Sequence, residues 1–209
     1  MIRIMLLMLL IINPVYADDS LSALMLRMQS TDAVKISYQE TRTLELFDHA
    51  WYGSGYMYST PNGLMLREQL KPNRLLMAVN QGDLFYYDVE HHLRHHATMQ
   101  DDDPLTFQFA VFKALITADD ALLQRLYQID FETNSERWLM TLTAKQTDSA
   151  DEIKVSGRLF QTVDTIIIKQ ADGDLIEFML KSESKVKSNN DNKALTQTID
   201  NSYAELTGE

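Results

Sequence analysis

Apolar residues change their period along this chain, and each change marks an element. Leu21, Leu24, Met25 and Met28 recur at helical spacing behind Ser20, an N-cap type, which predicts a helix over Ser20–Ser30. The period then drops to two. Val34, Ile36 and Tyr38 alternate with Lys35, Ser37 and Gln39, which predicts a half-buried strand continuing to Phe47. Asp48–Gly55 reads as a turn carrying aromatics. Tyr56–Tyr58, Leu64–Leu70, Leu75–Val79 and Leu84–Val89 read as strands. They are parted by Thr60-Pro61-Asn62-Gly63, Lys71-Pro72-Asn73 and Asn80-Gln81-Gly82-Asp83, all turn chemistry. Short strands at this spacing predict an antiparallel meander.

Asp101-Asp102-Asp103-Pro104 interrupts the meander and suits a helix start, with acidic groups at the positive end of the dipole and Pro in the first turn. Leu105–Thr117 is apolar on nearly every side, as a central or cavity-covering helix is. Asp119–Leu126 predicts a second short helix. Strands resume at Tyr127–Phe131, Trp138–Thr143, Val163–Lys169 and Leu175–Ser182, with Asp172-Gly173 as a hairpin signal between the last two. Ser188–Lys193 reads as a polar loop and Leu195–Ile199 as a last strand, with residues 188–209 partly flexible.

The first seventeen residues have a different pattern. Met1-Ile2-Arg3 is a positive start, Ile4–Ile12 is wholly apolar, Asn13-Pro14 breaks a helix, and Val15 and Ala17 place small residues before Asp18. This predicts a signal peptide cleaved after Ala17. The apolar run is shorter than the roughly 20 residues of a membrane span. Residues 18–209 then form a single secreted domain. Of the whole chain, 45% is apolar and 23% charged, which is globular composition. The net charge of −11 opposes nucleic acid and anionic membrane surfaces. With no cysteine, disulfides, thiolate chemistry and N-terminal lipid anchoring on Cys are excluded.

Catalytic signals are sparse. His91-His92-Leu93-Arg94-His95-His96 would hold two metal pairs on a helix, but it follows a strand, and Arg94 opposes a cation. It reads as a solvated hairpin, so no metal, cofactor or catalytic residue is assigned. Paired carboxylates fall at element ends, where capping and solvation explain them. The alternatives are a hydrolytic or metal enzyme using residues His91–His96, and a non-catalytic interaction module with a filled core. What stands out is adaptable apolar bulk: eight methionines follow Ala17, and aromatics gather at Tyr52, Tyr56, Tyr58, Phe85, Tyr86 and Tyr87. A bent sheet with apolar helices over its mouth would enclose a ligand pocket.

Several segments, in order, resemble the LolA/LolB family of periplasmic lipoprotein carriers and receptors, in its LolA-like branch. They are Tyr38-Gln39-Glu40-Thr41-Arg42, Gly55-Tyr56-Met57-Tyr58-Ser59-Thr60-Pro61, Lys71-Pro72, Gly82-Asp83-Leu84-Phe85-Tyr86-Tyr87-Asp88, the stretch from Pro104, Trp138–Leu142 and Asp172-Gly173. The resemblance implies a mainly β fold with helices: an incomplete, strongly bent antiparallel barrel with an N-terminal helix and lid helices over an apolar cavity. It implies a soluble, monomeric carrier, loaded by an inner-membrane exporter and emptied onto an outer-membrane acceptor, holding acyl chains of a lipoprotein or other acylated lipid. With alternation setting the strand faces, the expected lining is Leu24 and Met28 from the first helix and Tyr38, Tyr56, Leu66, Met77 and Tyr86 from the sheet. Phe107, Phe109 and Phe112 are expected from the lid. A one-residue slip exchanges Tyr56 for Met57. Thr60 stands where the family's general carriers place an arginine that closes the lid, and it lacks that side chain's donors. Either the lid is held by other groups or the cargo differs from the general lipoprotein set, and the departure favours the second.

Overall fold

The computed structural model describes residues 20–45, 49–99, 111–115, 117–145, 152–159, 162–183 and 188–209. Its centre is one antiparallel sheet of eleven strands. These are β1 (Val34–Thr43), β2 (Trp51–Ser59), β3 (Met65–Lys71), β4 (Leu75–Asn80), β5 (Asp83–Asp88), β6 (Leu93–Thr98), β7 (Tyr127–Thr133), β8 (Arg137–Ala144), β9 (Glu152–Arg158), β10 (Val163–Lys169) and β11 (Leu175–Ser182). The order across the sheet is β6-β5-β4-β3-β2-β1-β11-β10-β9-β8-β7. Two meanders, β1–β6 and β7–β11, therefore meet where β1 pairs with β11, Tyr38 opposite Leu180. Strands β6 and β7 are left as edges, so the barrel stays open. Register shifts at Ser54/Gly55 and Val163/Thr165 mark bulges, which bend a sheet locally.

Turn chemistry sets the hairpins. Gln81 and Gly82 both take positive φ, +53° and +94°, between β4 and β5, as a tight hairpin requires. Gly173 does the same at +94° between β10 and β11, where Gln170 N–H donates to Asp174 O at 2.9 Å.

The two sheet faces are covered differently. On the inner face, Tyr38, Met57, Met140, Leu142, Val155, Ile166 and Phe178 join one buried cluster with Leu24 and Met25 of the N-terminal helix Leu21–Met28. Residues 111–115 are helical and add Val111, Ala114 and Leu115, and the short helix Asp120–Leu126 adds Leu123. Ser20 caps the first helix by accepting from Ala23 N–H, and Asp119 caps the short one through Leu122 N–H. On the outer face, Tyr58, Leu66, Leu76, Ala78 and Tyr87 pack against Ile199 and Leu206 of the C-terminal helix Asn189–Thr207.

The structure departs from the expected elements at three places. Residues 188–199 are neither loop nor strand: Ser188 accepts from Asp191 N–H as an N-cap, and its helix continues to Thr207. Leu195, Ile199, Tyr203 and Leu206 form a helical stripe once the window is extended past Ile199. Strand β2 begins at Trp51, inside the segment expected to be a turn: it pairs with β1 as far as Trp51 opposite Arg42, and its Gly53 and Gly55 stand where a Cβ would clash. Strand β9 has no counterpart among the expected strands, although Ile153, Val155 and Gly157 alternate inward. The start of the expected lid, residues 105–110, lies outside the described residues.

Candidate functional site

Packing on the inner face is incomplete between the sheet and the helices. A cavity of about 190 Å3 is bounded by Met28 of the N-terminal helix, Val34 and Ile36 of β1, Ile166 of β10 and Leu180 of β11. Its lining among the described residues is apolar or hydroxyl-bearing, with no charge. A second, of about 370 Å3, lies further along β1, against Met65 and Arg67 of β3, Met77 of β4, Leu84 of β5 and Ile176 and Phe178 of β11. Met57 and Phe112 border both, so the two compartments share a wall. Phe112 meets Phe178 edge-on at 5.2 Å between centroids, and Phe178 in turn lies 6.1 Å from Tyr38.

The second cavity has a charged end. Along β1 the inward positions continue from Val34, Ile36 and Tyr38 to Glu40 and Arg42. The Glu40 side chain is fully buried. A carboxylate out of water needs full pairing. Arg42 Nε donates to Glu40 Oε1 at 2.5 Å, and Arg67 Nη2 donates to Oε2. Arg67 Nε also donates to the Tyr38 hydroxyl at 2.9 Å, and Nη2 to Gln69 Oε1 at 3.3 Å. The Arg67 guanidinium sits 4.9 Å from the Tyr38 ring centroid, and that of Arg42 4.9 Å from Trp51. Burial pushes the Tyr38 phenol above its ordinary pKa, against the opposing pull of Arg67. Tyr38 is thus a neutral acceptor at physiological pH.

The expected lining residues divide as follows. Met28, Met77 and Phe112 border the cavities. Leu24 and Tyr38 are buried in the adjoining cluster. Tyr86 shares the inner parity, directly opposite Met77. Tyr56 and Leu66 do not share it. Leu66 borders the larger cavity, but its side chain joins the outer cluster beneath the C-terminal helix, and Tyr56 packs against that cluster. The inward residues are Met57 and Met65. Phe107 and Phe109 lie outside the described residues. Glu40, Arg42 and Arg67 were not anticipated as lining. The signal was present: Glu40 and Arg42 fall on the same parity as the apolar residues that precede them in β1.

Thr60 closes the β2–β3 hairpin. Its hydroxyl donates to Asn62 Oδ1, and its backbone N–H to Leu64 O at 3.0 Å. It also shares a shallow surface pocket with Thr117, just past the helical residues 111–115. The histidine run is strand, not helix. His95 stands opposite Tyr86 and His96 opposite Phe85, on opposite faces, so the helical pairings do not form. His96 stacks on Phe85 at 4.6 Å. His91 and His92 lie in the preceding turn.

No family model matches the sequence, and no curated protein does. Solved structures do. A LolA superfamily protein from Nitrosomonas europaea matches at 8% identity and a TM-score of 0.42, over 77% of this chain and 90% of its own. A domain from Vibrio parahaemolyticus, described as outer membrane lipoprotein-sorting, matches at 9% identity and 0.42, over 82% and 94%. A DUF1329 family protein from Desulfovibrio piger matches at 11% identity and a TM-score of 0.51, over 81% of this chain and 92% of its own. At that identity the likeness is one of fold, and the fold it shares with this chain is the open, helix-lined antiparallel sheet described above.

Proposed function

We propose that this protein is a periplasmic carrier that shields the acyl chains of a lipoprotein or another acylated lipid during transfer toward the outer membrane. The supporting observation is the pair of adjoining cavities between the inner sheet face and the helices, one uncharged and one apolar except at its charged end. An acyl chain loses about 0.8 kcal/mol for each methylene moved from bilayer to water, so free transfer across an aqueous compartment is slow. A soluble protein can replace the bilayer with its own apolar interior. It must also let go, and methionine walls suit that need because the side chain adapts to many shapes. Met28, Met57, Met65 and Met77 supply such walls here. In this reading Leu24, Tyr38, Tyr86 and Phe112 support the cavity, Phe107 and Phe109 are further cargo contacts, and Met57 and Met65 take the places of Tyr56 and Leu66. Residues 1–17 are the export signal. An inner-membrane donor and an outer-membrane acceptor complete the route, and no cofactor takes part.

The test begins with the full chain expressed in a bacterium and recovered from the periplasm, followed by lipid extraction and mass spectrometry. The expected result is acylated species at near-stoichiometric amounts, and a protein that binds an environment-sensitive apolar dye once delipidated. Met57→Trp, which fills the wall between the cavities, is expected to weaken dye binding at least fivefold. A folded wild-type protein that carries no lipid and binds no dye would overturn the carrier reading.

A further inference from the structure

We propose that the cargo is an amphiphile with an anionic oxygen headgroup, carboxylate or phosphodiester, seated on Arg42 and Arg67 with its chain pointing past Met57 and Phe112 into the smaller cavity. The proposal rests on the carrier reading and deepens it.

Charge is the first observation. The whole chain is acidic, at −11, yet the larger cavity has two guanidiniums and one carboxylate on its wall. That wall carries a net positive charge against the trend of the composition. Glu40 does not absorb it. Each of its oxygens already accepts from one arginine, Oε1 from Arg42 and Oε2 from Arg67. Arg42 spends only Nε on protein partners, and Arg67 spends Nε and Nη2. Both Nη atoms of Arg42 and Nη1 of Arg67 keep their donors unspent among the described residues. Guanidiniums match the planar or tetrahedral oxygens of carboxylates and phosphates in fixed geometry. Anchored on the same carboxylate, the two forks converge on one region. Glu40, Tyr38 and Trp51 hold them in place, so little side-chain entropy is lost when an anion arrives.

Direction is the second observation. The Arg42 side chain is 41% exposed and that of Arg67 19%, so this end is reachable from solvent. The smaller cavity borders Ile36 and is uncharged. From Glu40 to Ile36 along β1 is roughly 13 Å at strand rise. Met57 and Phe112 border both compartments, so a chain that reaches from one to the other lies against these two adaptable side chains. A polar end and an apolar end in series fit a head and a tail. An uncharged acyl cargo would leave the guanidinium donors unmatched as it displaced water from them, a cost that an anionic head avoids.

The experiment measures binding of three single-chain amphiphiles to the delipidated full chain: oleate, oleoyl-lysophosphatidylglycerol and the neutral monoolein. An anionic ligand is expected to bind at least tenfold more tightly than monoolein. Preference for oleate identifies a carboxylate head, and preference for the lysophospholipid a phosphodiester. Arg42→Gln, at an exposed side chain, is expected to bring the anionic-to-neutral ratio within about twofold while monoolein binding holds. If the three amphiphiles bind alike, or if Arg42→Gln weakens all three equally, the headgroup site falls and the carrier reading stands. If none of the three binds, both fall.

Discussion

Arg74, at the entry to β4, donates from Nη1 and Nη2 to the two carboxylate oxygens of Glu205 on the C-terminal helix, at 2.5 and 2.9 Å. Its Nε meanwhile holds Glu68 of β3 at 3.0 Å. Arg94 of β6 reaches the same helix end, donating to the backbone carbonyls of Glu205 and Leu206. Arg94 thus satisfies carbonyls of the C-terminal turn and Arg74 anchors it through the Glu205 side chain, in a helix in which only Ile199 and Leu206 are buried. Polar fastening supplements a thin apolar contact.

Breaking that fork lowers stability. Arg74→Gln and Glu205→Gln are each expected to cost about 1 kcal/mol, since both side chains are more than a third exposed and solvent screens the pair. Urea unfolding of the two single variants and the double variant measures the coupling. The pair also sets an acid limit. The hydrogen bond from Arg74 holds the Glu205 carboxyl below its ordinary pKa, with burial opposing. A group depressed in the folded state adds stability above its unfolded pKa and loses it as pH falls through the folded one. The wild type is therefore expected to lose more stability than Glu205→Gln between neutral pH and the acid side of the carboxylate range. Equal acid slopes would remove the pair from the account.

At the β5–β6 turn, His91 Nδ1 lies 2.8 Å from Asp88 Oδ2. The hydrogen bond to Asp88 raises the His91 pKa and lowers that of Asp88. The imidazolium–carboxylate pair is complete below the unfolded histidine pKa and is lost as pH rises through the higher folded value. Asp88→Asn is expected to return His91 to the ordinary histidine range. Proton NMR of the ring hydrogens reads this directly, and an unchanged midpoint in Asp88→Asn would contradict it.

Much of this was written in the sequence. Helical spacing in Leu21–Met28 and alternation in Val34–Tyr38 correspond to structure because each element buries one face against one cluster. Alternation sets the period of a strand but not its phase. In β2 the run Tyr56-Met57-Tyr58 is apolar at every position, because the outer face is covered too, by the C-terminal helix. That hidden second layer made Tyr56 look like a lining residue and left Met57 as the one-residue-slip alternative. The same ambiguity affects Leu66 between Met65 and Arg67. The helix itself was obscured by Asn189–Lys193, a polar first turn that resembles a loop until its Ser188 cap is seen. The charged end of the cavity was missed for a different reason. Glu40, Arg42 and Arg67 are individually ordinary, and only the folded register brings β1 and β3 residues onto one wall across β2.

Gly55 marks the closest approach in the sheet. A Cβ built there would lie 1.9 Å from the Glu68 carbonyl oxygen and 2.9 Å from the Gln69 Cα, both backbone atoms of β3. Neither can turn aside as a side chain does. Gly55→Ala must push β2 away from β3 at the bulge, and overpacking of this kind costs about 1–3 kcal/mol or more. Gly63 is a control for the cost of losing a glycine, since its Cβ would meet nothing and only its φ of +88° resists. Gly55→Ala is expected to unfold at clearly lower urea than Gly63→Ala. The reverse order would mean that the strands yield more readily than the turn.

Truncations on the inner face should separate core from cavity. Met140 is fully buried in the cluster where β8 packs, so Met140→Ala is expected to cost about 2–5 kcal/mol, transfer plus a new void. Met77 is a methionine on the same sheet face, but it is half-buried and already borders empty space. Removing its side chain enlarges an existing cavity and breaks fewer contacts, so Met77→Ala is expected to cost less than about 1.5 kcal/mol. Chemical denaturation gives both values on one scale. The comparison also bears on function. A protein under selection for stability alone would close the gap beside Met77 with a larger group, whereas a carrier needs it open. Met77→Phe tests this from the other side: filling the space is expected to hold or raise the unfolding midpoint while weakening dye binding severalfold. A variant that gains stability and keeps full binding would mean that the space beside Met77 takes no part in holding cargo.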